Sequence, residues 1–187
     1  MKYDPETKLA NQIREELRGL RRRLTQDPDA CPAIWVIQHV LACSQRPLRD
    51  HPKFGESGKA LPPEAGGHVI NWVDRVQALG IRSILCLMHP KELRYYDGVS
   101  GIRGGLLELY RSRGFEVQHI QWADPAHAKS PAARESLRNQ VHDIKRKAYS
   151  AFRALPKPVL LHCSAGIDRS APVAAHISLR EKTNGPG

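Results

Sequence analysis

The sequence contains few cysteines and no long apolar run, and both features narrow the classes of protein to consider. Its four cysteines are scattered along 187 residues without paired spacing, which suggests neither a disulfide framework nor a zinc site. No apolar segment approaches the roughly 20 residues of a membrane-spanning helix, and residues 1–6 are too polar for a signal peptide. We therefore expect a cytoplasmic protein without a membrane span, in a reducing compartment that suits a reactive thiol.

Acidic residues are also in the minority, because 29 Lys and Arg against 19 Asp and Glu give a formal net charge of +10 at pH 7. Such a balance makes an anionic partner plausible but carries no information about the fold. The length predicts one domain that is large enough to bury its own core. The sequence contains no internal repeat and no low-complexity segment.

Residues 1–30 are predicted to form a basic amphipathic helix that precedes the domain. Asp4 can cap this helix, Pro5 can occupy its first turn, and apolar residues recur at helical spacing from Leu9 to Leu24. The opposite face carries Arg14, Arg18, Arg21, Arg22 and Arg23. We expect this face to be a solvated surface of a helix packed on the domain, and the alternative is an arm that binds an anionic partner.

Beyond residue 30, short apolar strands alternate with amphipathic helices. Strands are predicted at 34–37, 40–43, 81–87, 115–121 and 158–161, and helices at 67–79, 102–110, 130–155 and from 170 onward. The stretch 45–67 is rich in proline, glycine and charge, which predicts a long surface loop. This order predicts a three-layer α/β fold, in which helices flank a mainly parallel sheet of about five strands.

The segment His162-Cys163-Ser164-Ala165-Gly166-Ile167-Asp168-Arg169-Ser170 joins a predicted buried strand to a predicted helix. Backbone N–H groups and the helix dipole converge in such a turn and favour an anion. Cys163 opens the turn and is expected to be partly ionised there. Arg169 closes it with a planar fork that matches phosphate oxygens. The alternative is a structural cysteine in an ordinary strand-to-helix turn.

Ligands of parallel sheets bind beyond the carboxyl ends of the strands, where the loops 89–101 and 122–130 are also expected. A thiolate that attacks phosphorus needs a proton donor for the leaving oxygen. Asp124 fits this role and can then activate water, whereas Asp97 is the competing acid and a simple turn or cap role for Asp124 is a further alternative. Ser170 can hydrogen-bond the departing thiolate.

These residues resemble the active-site signature of cysteine-dependent protein tyrosine phosphatases. Cys163, with Arg169 six positions later and then Ser170, matches the Cys-x5-Arg-Ser/Thr motif of that superfamily. Trp122-Ala123-Asp124-Pro125 is similar to its mobile Trp-Pro-Asp loop. The resemblance covers 34–179, is greatest to the compact dual-specificity branch, and implies a phosphatase domain at 31–187 with a dual-specificity-phosphatase-like fold.

The resemblance also implies a phosphocysteine intermediate, with no metal and no cofactor. The implied catalytic residues are Cys163, Arg169, Asp124 and Ser170. The implied phosphoryl-binding backbone is that of Ser164, Ala165, Gly166, Ile167, Asp168 and Arg169. His162 is expected to orient the loop rather than to act as a base.

Two positions depart from the pattern of the family. Ile167 replaces the lysine of phosphoinositide-type members, which disfavours a lipid substrate. Asp168 occupies a position that is often glycine, and its carboxylate should weaken anion binding unless it points away. We expect it to face outward and to pair with a basic group such as Arg94 or Arg103.

The sequence thus favours a phosphomonoesterase that acts on phosphotyrosine proteins, with phosphoserine and phosphothreonine as further substrates. The basic helix faces motivate an alternative, the same chemistry on a non-protein substrate such as an RNA 5′ phosphate, an inositol phosphate or a phosphoglucan. The third hypothesis is a non-catalytic module that binds phosphorylated partners. A measurable rate of aryl phosphate hydrolysis would distinguish an enzyme from such a module.

Overall fold

A single five-stranded sheet forms the centre of the computed structural model, which describes residues 4–56 and 58–183. The strands are β1 (Ile34–Ile37), β2 (Leu41–Ser44), β3 (Ser83–Cys86), β4 (Glu116–His119) and β5 (Val159–His162). Their spatial order is β1-β2-β5-β3-β4. β1 is antiparallel to β2, and the other three pairs are parallel. The predicted α/β fold with a mainly parallel sheet is confirmed.

The helices that flank this sheet are α1 (Pro5–Gln26), α2 (Gly66–Ala78), α3 (Pro90–Leu93), α4 (Gly105–Ser112), α5 (Pro131–Asn139), α6 (Val141–Ala154) and α7 (Ser170–Thr183). Successive residues of β5 belong to different apolar clusters, because side chains alternate between the two faces of a strand. Val159 and Leu161 pack with α1, α6 and α7. Leu160 packs with α2 and α4. The sheet therefore has a core on each face.

The N-terminal helix forms as predicted and packs against α7. Asp4 accepts a hydrogen bond from the Thr7 amide at 3.3 Å, and a proline begins the first turn. Leu17 and Leu20 are buried in the same cluster as Cys163. The apolar face of α1 is thus continuous with the core beneath the predicted phosphate loop.

The prediction of a surface loop at 45–67 is wrong at its start and at single apolar positions further on, whereas residues 52–53, 58–60 and 63–64 are exposed as predicted. Residues 45–48 are buried, and the Arg46 side chain is fully buried. Phe54 and Leu61 join the core on the α2 side of the sheet. The proline, glycine and charge content predicted a solvent-exposed segment. These widely spaced apolar side chains instead hold it against the sheet.

The single long helix predicted at 130–155 is divided at Gln140 into α5 and α6. The Trp122 indole donates to the carbonyl of Leu137 at 3.3 Å, which is the acceptor that residue 141 would use in an unbroken helix. α6 buries Ile144, Ala148 and Phe152, whereas α5 buries none of its described side chains. The apolar face therefore anchors only the second half of the predicted helix.

Residues 1–3 of the predicted polar start and residues 184–187 of the predicted domain lie outside the described residues. Within the described ranges, none of the helices has both the length and the hydropathy that a bilayer crossing requires.

Candidate active site

The Cys163 loop (residues 163–169) leaves the sheet from its central strand, β5. Ser44 and Cys86 are the register partners of His162 on the two neighbouring strands. Gly166 has a φ of +79°, and a Cβ at this position would lie 2.7 Å from the carbonyl oxygen of Ser44. The Arg46 amide donates to the carbonyl of Ser164 at 2.9 Å. The loop is therefore docked onto the end of β2, where only glycine fits at position 166.

Cys163 is buried beside His162, which the structure places in an orienting position. His162 Nδ1 lies 3.1 Å from the carbonyl oxygen of Cys163, and Nε2 lies 3.3 Å from the Tyr110 hydroxyl. Burial lowers the pKa of His162 to about 4, so the imidazole is neutral at pH 7. A neutral ring that donates from Nδ1 and accepts at Nε2 satisfies both contacts. These contacts agree with the predicted structural role.

Arg169 is fully buried, and its guanidinium is held by one carboxylate and two carbonyls. Nη1 and Nη2 donate to the two carboxylate oxygens of Glu92 at 2.7 and 2.6 Å. Nη1 also lies 2.7 Å from the carbonyl oxygen of Trp122 and 3.3 Å from that of Leu87. Nε is buried without a hydrogen-bond partner among the described residues. A buried donor left unpaired costs free energy, which an accepting ligand would recover.

Glu92 is one of two residues at this site that the sequence analysis missed. Burial alone would raise its pKa, but the hydrogen bonds and charge of Arg169 outweigh burial and hold that pKa below its ordinary value. The backbone N–H of His89 also donates to Glu92 at 2.7 Å, as part of the capping box of α3. The sequence does contain a signal for Glu92. It lies three residues after His89, in the spacing of a helix capping box that follows a predicted strand.

The structure brings Asp124, and not Asp97, to the Cys163 loop. Asp124 Oδ2 lies 3.7 Å from Arg169 Nη2 and 3.7 Å from His127 Nδ1. The Asp124 side chain is only 9% exposed. Asp97 is an exposed residue next to the short helical turn Arg94–Tyr96. Of the two acids considered from the sequence, Asp124 is therefore the one that lies beside Arg169.

The remaining predicted site residues differ in burial along the loop. Gly166 and Ile167 are buried, Ser164 and Ala165 are half-buried, and Asp168 is exposed. Ser170 is buried at the start of α7, and its hydroxyl has no hydrogen-bond partner within the described parts of the chain. That hydroxyl is therefore available to a group in the loop.

Arg46 is a second fully buried arginine at the loop, and the sequence analysis missed it. Its Nε donates to the Ser164 hydroxyl at 3.2 Å, and other donors reach the Tyr96 hydroxyl and the Glu56 carbonyl, both at 3.3 Å. The guanidinium carbon lies 5.1 Å from the ring centroid of Tyr95. The signal was its position two residues after the end of β2, a neighbour of β5, but the sequence does not give the strand order.

Asp168 faces outward as predicted, but its predicted partners are wrong. It lines a cavity of about 520 Å³ together with Arg14, Arg134 and Arg138. Its charge also helps to raise the pKa of Arg21, which is raised mainly by the hydrogen bonds that Arg21 donates to Asp50. Pairing with Arg94 or Arg103 is not found among the described contacts. The reason is topological, because α1 and α5 flank this end of the loop.

A second cavity, of about 490 Å³, lies at the other end of the loop. Ser164, Lys91 and Tyr95 contribute to its lining, and Asp124 lines both cavities. The acid candidate thus stands between the Ser164 end and the Asp168 end of the Cys163 loop.

Comparison with known families agrees with this geometry. Residues 107–185 match the family model described as protein-tyrosine phosphatase. The match supports the predicted resemblance to the protein-tyrosine phosphatase superfamily. It includes Asp124 and the whole Cys163 loop, and it supports phosphatase activity in general. No curated protein gives a significant match to the chain. Arg46 and Glu92 lie before the matched residues, so their contribution is read from the structure.

Proposed function

We propose that the protein is a phosphomonoesterase that removes phosphate from phosphotyrosine, with phosphoserine and phosphothreonine as further substrates. One observation carries the proposal: Arg169 is clamped by Glu92 and Trp122, yet its buried Nε has no hydrogen-bond partner in the described parts of the chain. A preorganised donor of this kind stabilises the charge that develops during phosphoryl transfer. The approach of Asp124 to the same arginine adds a proton donor.

In the first step, backbone N–H groups of the Cys163 loop and Nε of Arg169 hold the phosphoryl oxygens. The Cys163 thiolate attacks phosphorus, so that an S–P bond forms while the P–O bond to the leaving group breaks. Asp124, protonated at this stage, transfers its proton to the leaving oxygen. The products of this step are a phosphocysteine, a free alcohol or phenol, and an ionised Asp124.

In the second step, the carboxylate of Asp124 accepts a proton from water as that water attacks phosphorus. The S–P bond breaks and releases inorganic phosphate and the Cys163 thiolate. The buried hydroxyl of Ser170 can donate to this thiolate and make it a better leaving group. Asp124 returns to its protonated state, so the cycle balances without a metal or a cofactor.

A non-protein phosphomonoester is the second candidate substrate, and a specific observation favours it. The cavity at the Asp168 end of the loop is lined by three arginines from α1 and α5. The chemistry on Cys163 would be the same for either substrate class.

The first test is hydrolysis of p-nitrophenyl phosphate in the presence of a chelator. We expect Cys163→Ser to abolish phosphate release, because a serine hydroxyl at this site is a far weaker nucleophile than a thiolate. Cys31→Ser is the matched control, since Cys31 is exposed and outside the site. Near-normal turnover by Cys163→Ser would overturn the mechanism. An inactive wild-type protein that still binds phosphate esters would identify a non-catalytic module.

The second test concerns the acid. We expect Asp124→Asn to lower kcat by about a hundredfold, the lower end of general acid–base effects, with a smaller change in KM. Asp97→Asn, which removes an exposed carboxylate, should leave kcat unchanged. Equal losses in both variants would remove Asp124 from the proposed role.

A further inference from the structure

The cavity at the Asp168 end of the Cys163 loop brings together two basic surfaces that are far apart in the sequence. Arg14 reaches it from α1, and Arg134 and Arg138 reach it from α5. Arg14 is half-buried, and the two α5 arginines are exposed. The fold therefore places three guanidinium groups around one space beside the proposed catalytic centre.

Arg14 differs from two other arginines of α1 in its partners. On α1, Arg18 pairs with Glu15 and Arg21 pairs with Asp50. Arg14 instead donates to the neutral Asn11 side chain at 2.6 Å. Within the described residues, no carboxylate lies within ion-pair distance of Arg14, Arg134 or Arg138. Their charges remain available to an anion, and an arginine fork is well suited to phosphate.

The lining also contains apolar and acidic groups that restrict what can enter. Trp122, Pro125 and Pro172 provide apolar surface for a carbon scaffold. Asp124 and Asp168 contribute two carboxylates, so the three arginines leave the lining with a positive balance. The volume of about 520 Å³ falls within the range of small-molecule sites. The occupant that fits these features is compact and strongly anionic.

We propose that this cavity binds a second phosphoryl group of a compact, multiply phosphorylated small molecule, while the Cys163 loop holds the phosphoryl group to be hydrolysed. The inference rests on the proposed phosphomonoesterase chemistry at Cys163, and it develops the second candidate substrate, a non-protein phosphomonoester. Asp124 and Asp168 lie on the border between the cavity and the catalytic groups, so one small ligand can contact both. The arginines would then contribute to substrate choice without touching the reacting bond.

Asp168 has a defined part in this arrangement. Its carboxylate lines the same cavity as the arginines, and its negative charge lowers the positive potential there. It therefore repels the negative charges of a ligand. A ligand must therefore carry enough negative charge to contact the arginines despite Asp168. Removal of this carboxylate should strengthen the binding of any polyanion in the cavity.

The test is calorimetric titration of the full chain carrying Cys163→Ser, which binds without turnover, at one fixed ionic strength. The probe is myo-inositol hexakisphosphate, and myo-inositol monophosphate is the reference ligand. We expect Arg138→Gln to weaken hexakisphosphate binding about tenfold, equivalent to about 1.4 kcal/mol, with a smaller effect on the monophosphate. Asp168→Asn should tighten hexakisphosphate binding severalfold.

Arg111→Gln is the matched control. Arg111 is exposed on α4 and pairs with Glu108, and it does not line the cavity, so the same change in net charge should leave the affinity unaltered. Equal weakening by Arg111→Gln and Arg138→Gln would reveal non-specific attraction and overturn the proposal. Tighter binding of a doubly phosphorylated peptide than of the hexakisphosphate would overturn the assignment to a small molecule.

Hydrolysis of p-nitrophenyl phosphate by the wild-type chain separates this inference from the proposed function. Turnover of the aryl phosphate, with hexakisphosphate binding that does not depend on Arg138, overturns the second subsite alone. Binding that depends on Arg138, in a chain that does not hydrolyse the aryl phosphate, overturns the enzymatic function and the substrate assignment together.

Discussion

Two fully buried arginines reach the Cys163 loop, and they are held in different ways. Arg169 faces the carboxylate of Glu92 and keeps its Nε without a described partner. Arg46 donates instead to neutral oxygens, among them the Ser164 hydroxyl and the Tyr96 hydroxyl. The Glu92 carboxylate neutralises the charge of Arg169, while the Nε–H of Arg169 remains as a donor for an anion. The arrangement of Arg46 fixes the loop and keeps a positive charge beneath it, which also helps to lower the pKa of Glu92.

The contrast predicts that Arg169 serves chemistry more than stability. We expect Arg169→Lys to lower kcat/KM for p-nitrophenyl phosphate about a thousandfold, as for loss of a preorganised transition-state donor. An ammonium group can still pair with Glu92 but cannot offer a planar fork. Steady-state kinetics and thermal melting of the same samples measure both effects. A loss below tenfold would contradict the proposed role of the guanidinium.

For Arg46 the prediction is reversed, with stability as the larger effect. Arg46→Lys should lower the free energy of unfolding by about 3 kcal/mol, because several buried oxygens lose their donor. Turnover should fall much less than in Arg169→Lys. Urea unfolding measures the effect, and Arg49→Lys, a half-buried neighbour that pairs with Asp50, is the control. Unchanged stability of Arg46→Lys would remove the distinction between the two arginines.

The smallest predicted effect concerns Glu92 and pH. Its folded-state pKa is held below the ordinary value of 4.5, so the unfolded chain binds this proton more readily. Ionised Glu92 therefore contributes stability above about pH 4.5, and this contribution is lost as pH falls through the lowered pKa. Melting temperatures between pH 6 and pH 3 should fall less steeply for Glu92→Gln than for the wild type. Parallel curves would show that Glu92 does not link protonation to folding.

The two arginines also differ in whether their place at the loop can be predicted from the sequence. Cys163 and Arg169 were predictable because strand, turn and helix are consecutive, so neighbours in sequence are neighbours in space. Arg46 and Glu92 follow β2 and β3, and only the strand order places both beside β5. The strand runs were recognisable from their apolar residues, but their order depends on packing between distant segments.

Two errors have the same origin. The partners expected for Asp168 came from the segment 89–103, whereas the fold brings α1 and α5 to it. The helix predicted over 130–155 followed a real apolar period, and the indole of Trp122 ends its first part by taking the Leu137 carbonyl. In both cases a residue distant in sequence decided the outcome.

The contact of Gly166 with Ser44 bears on how such a site can diversify during evolution. The loop is held against β2 by the close approach of Gly166 to Ser44 and by the main-chain hydrogen bond from Arg46 to Ser164, neither of which depends on the side chains of Ala165 or Asp168. Substitutions at the exposed Asp168 and the half-buried Ala165 are therefore expected to leave these two main-chain contacts in place. Position 166 has no such freedom. In the proposed phosphatase, substrate choice can therefore vary at the exposed rim of the loop while the backbone that would hold phosphate stays the same.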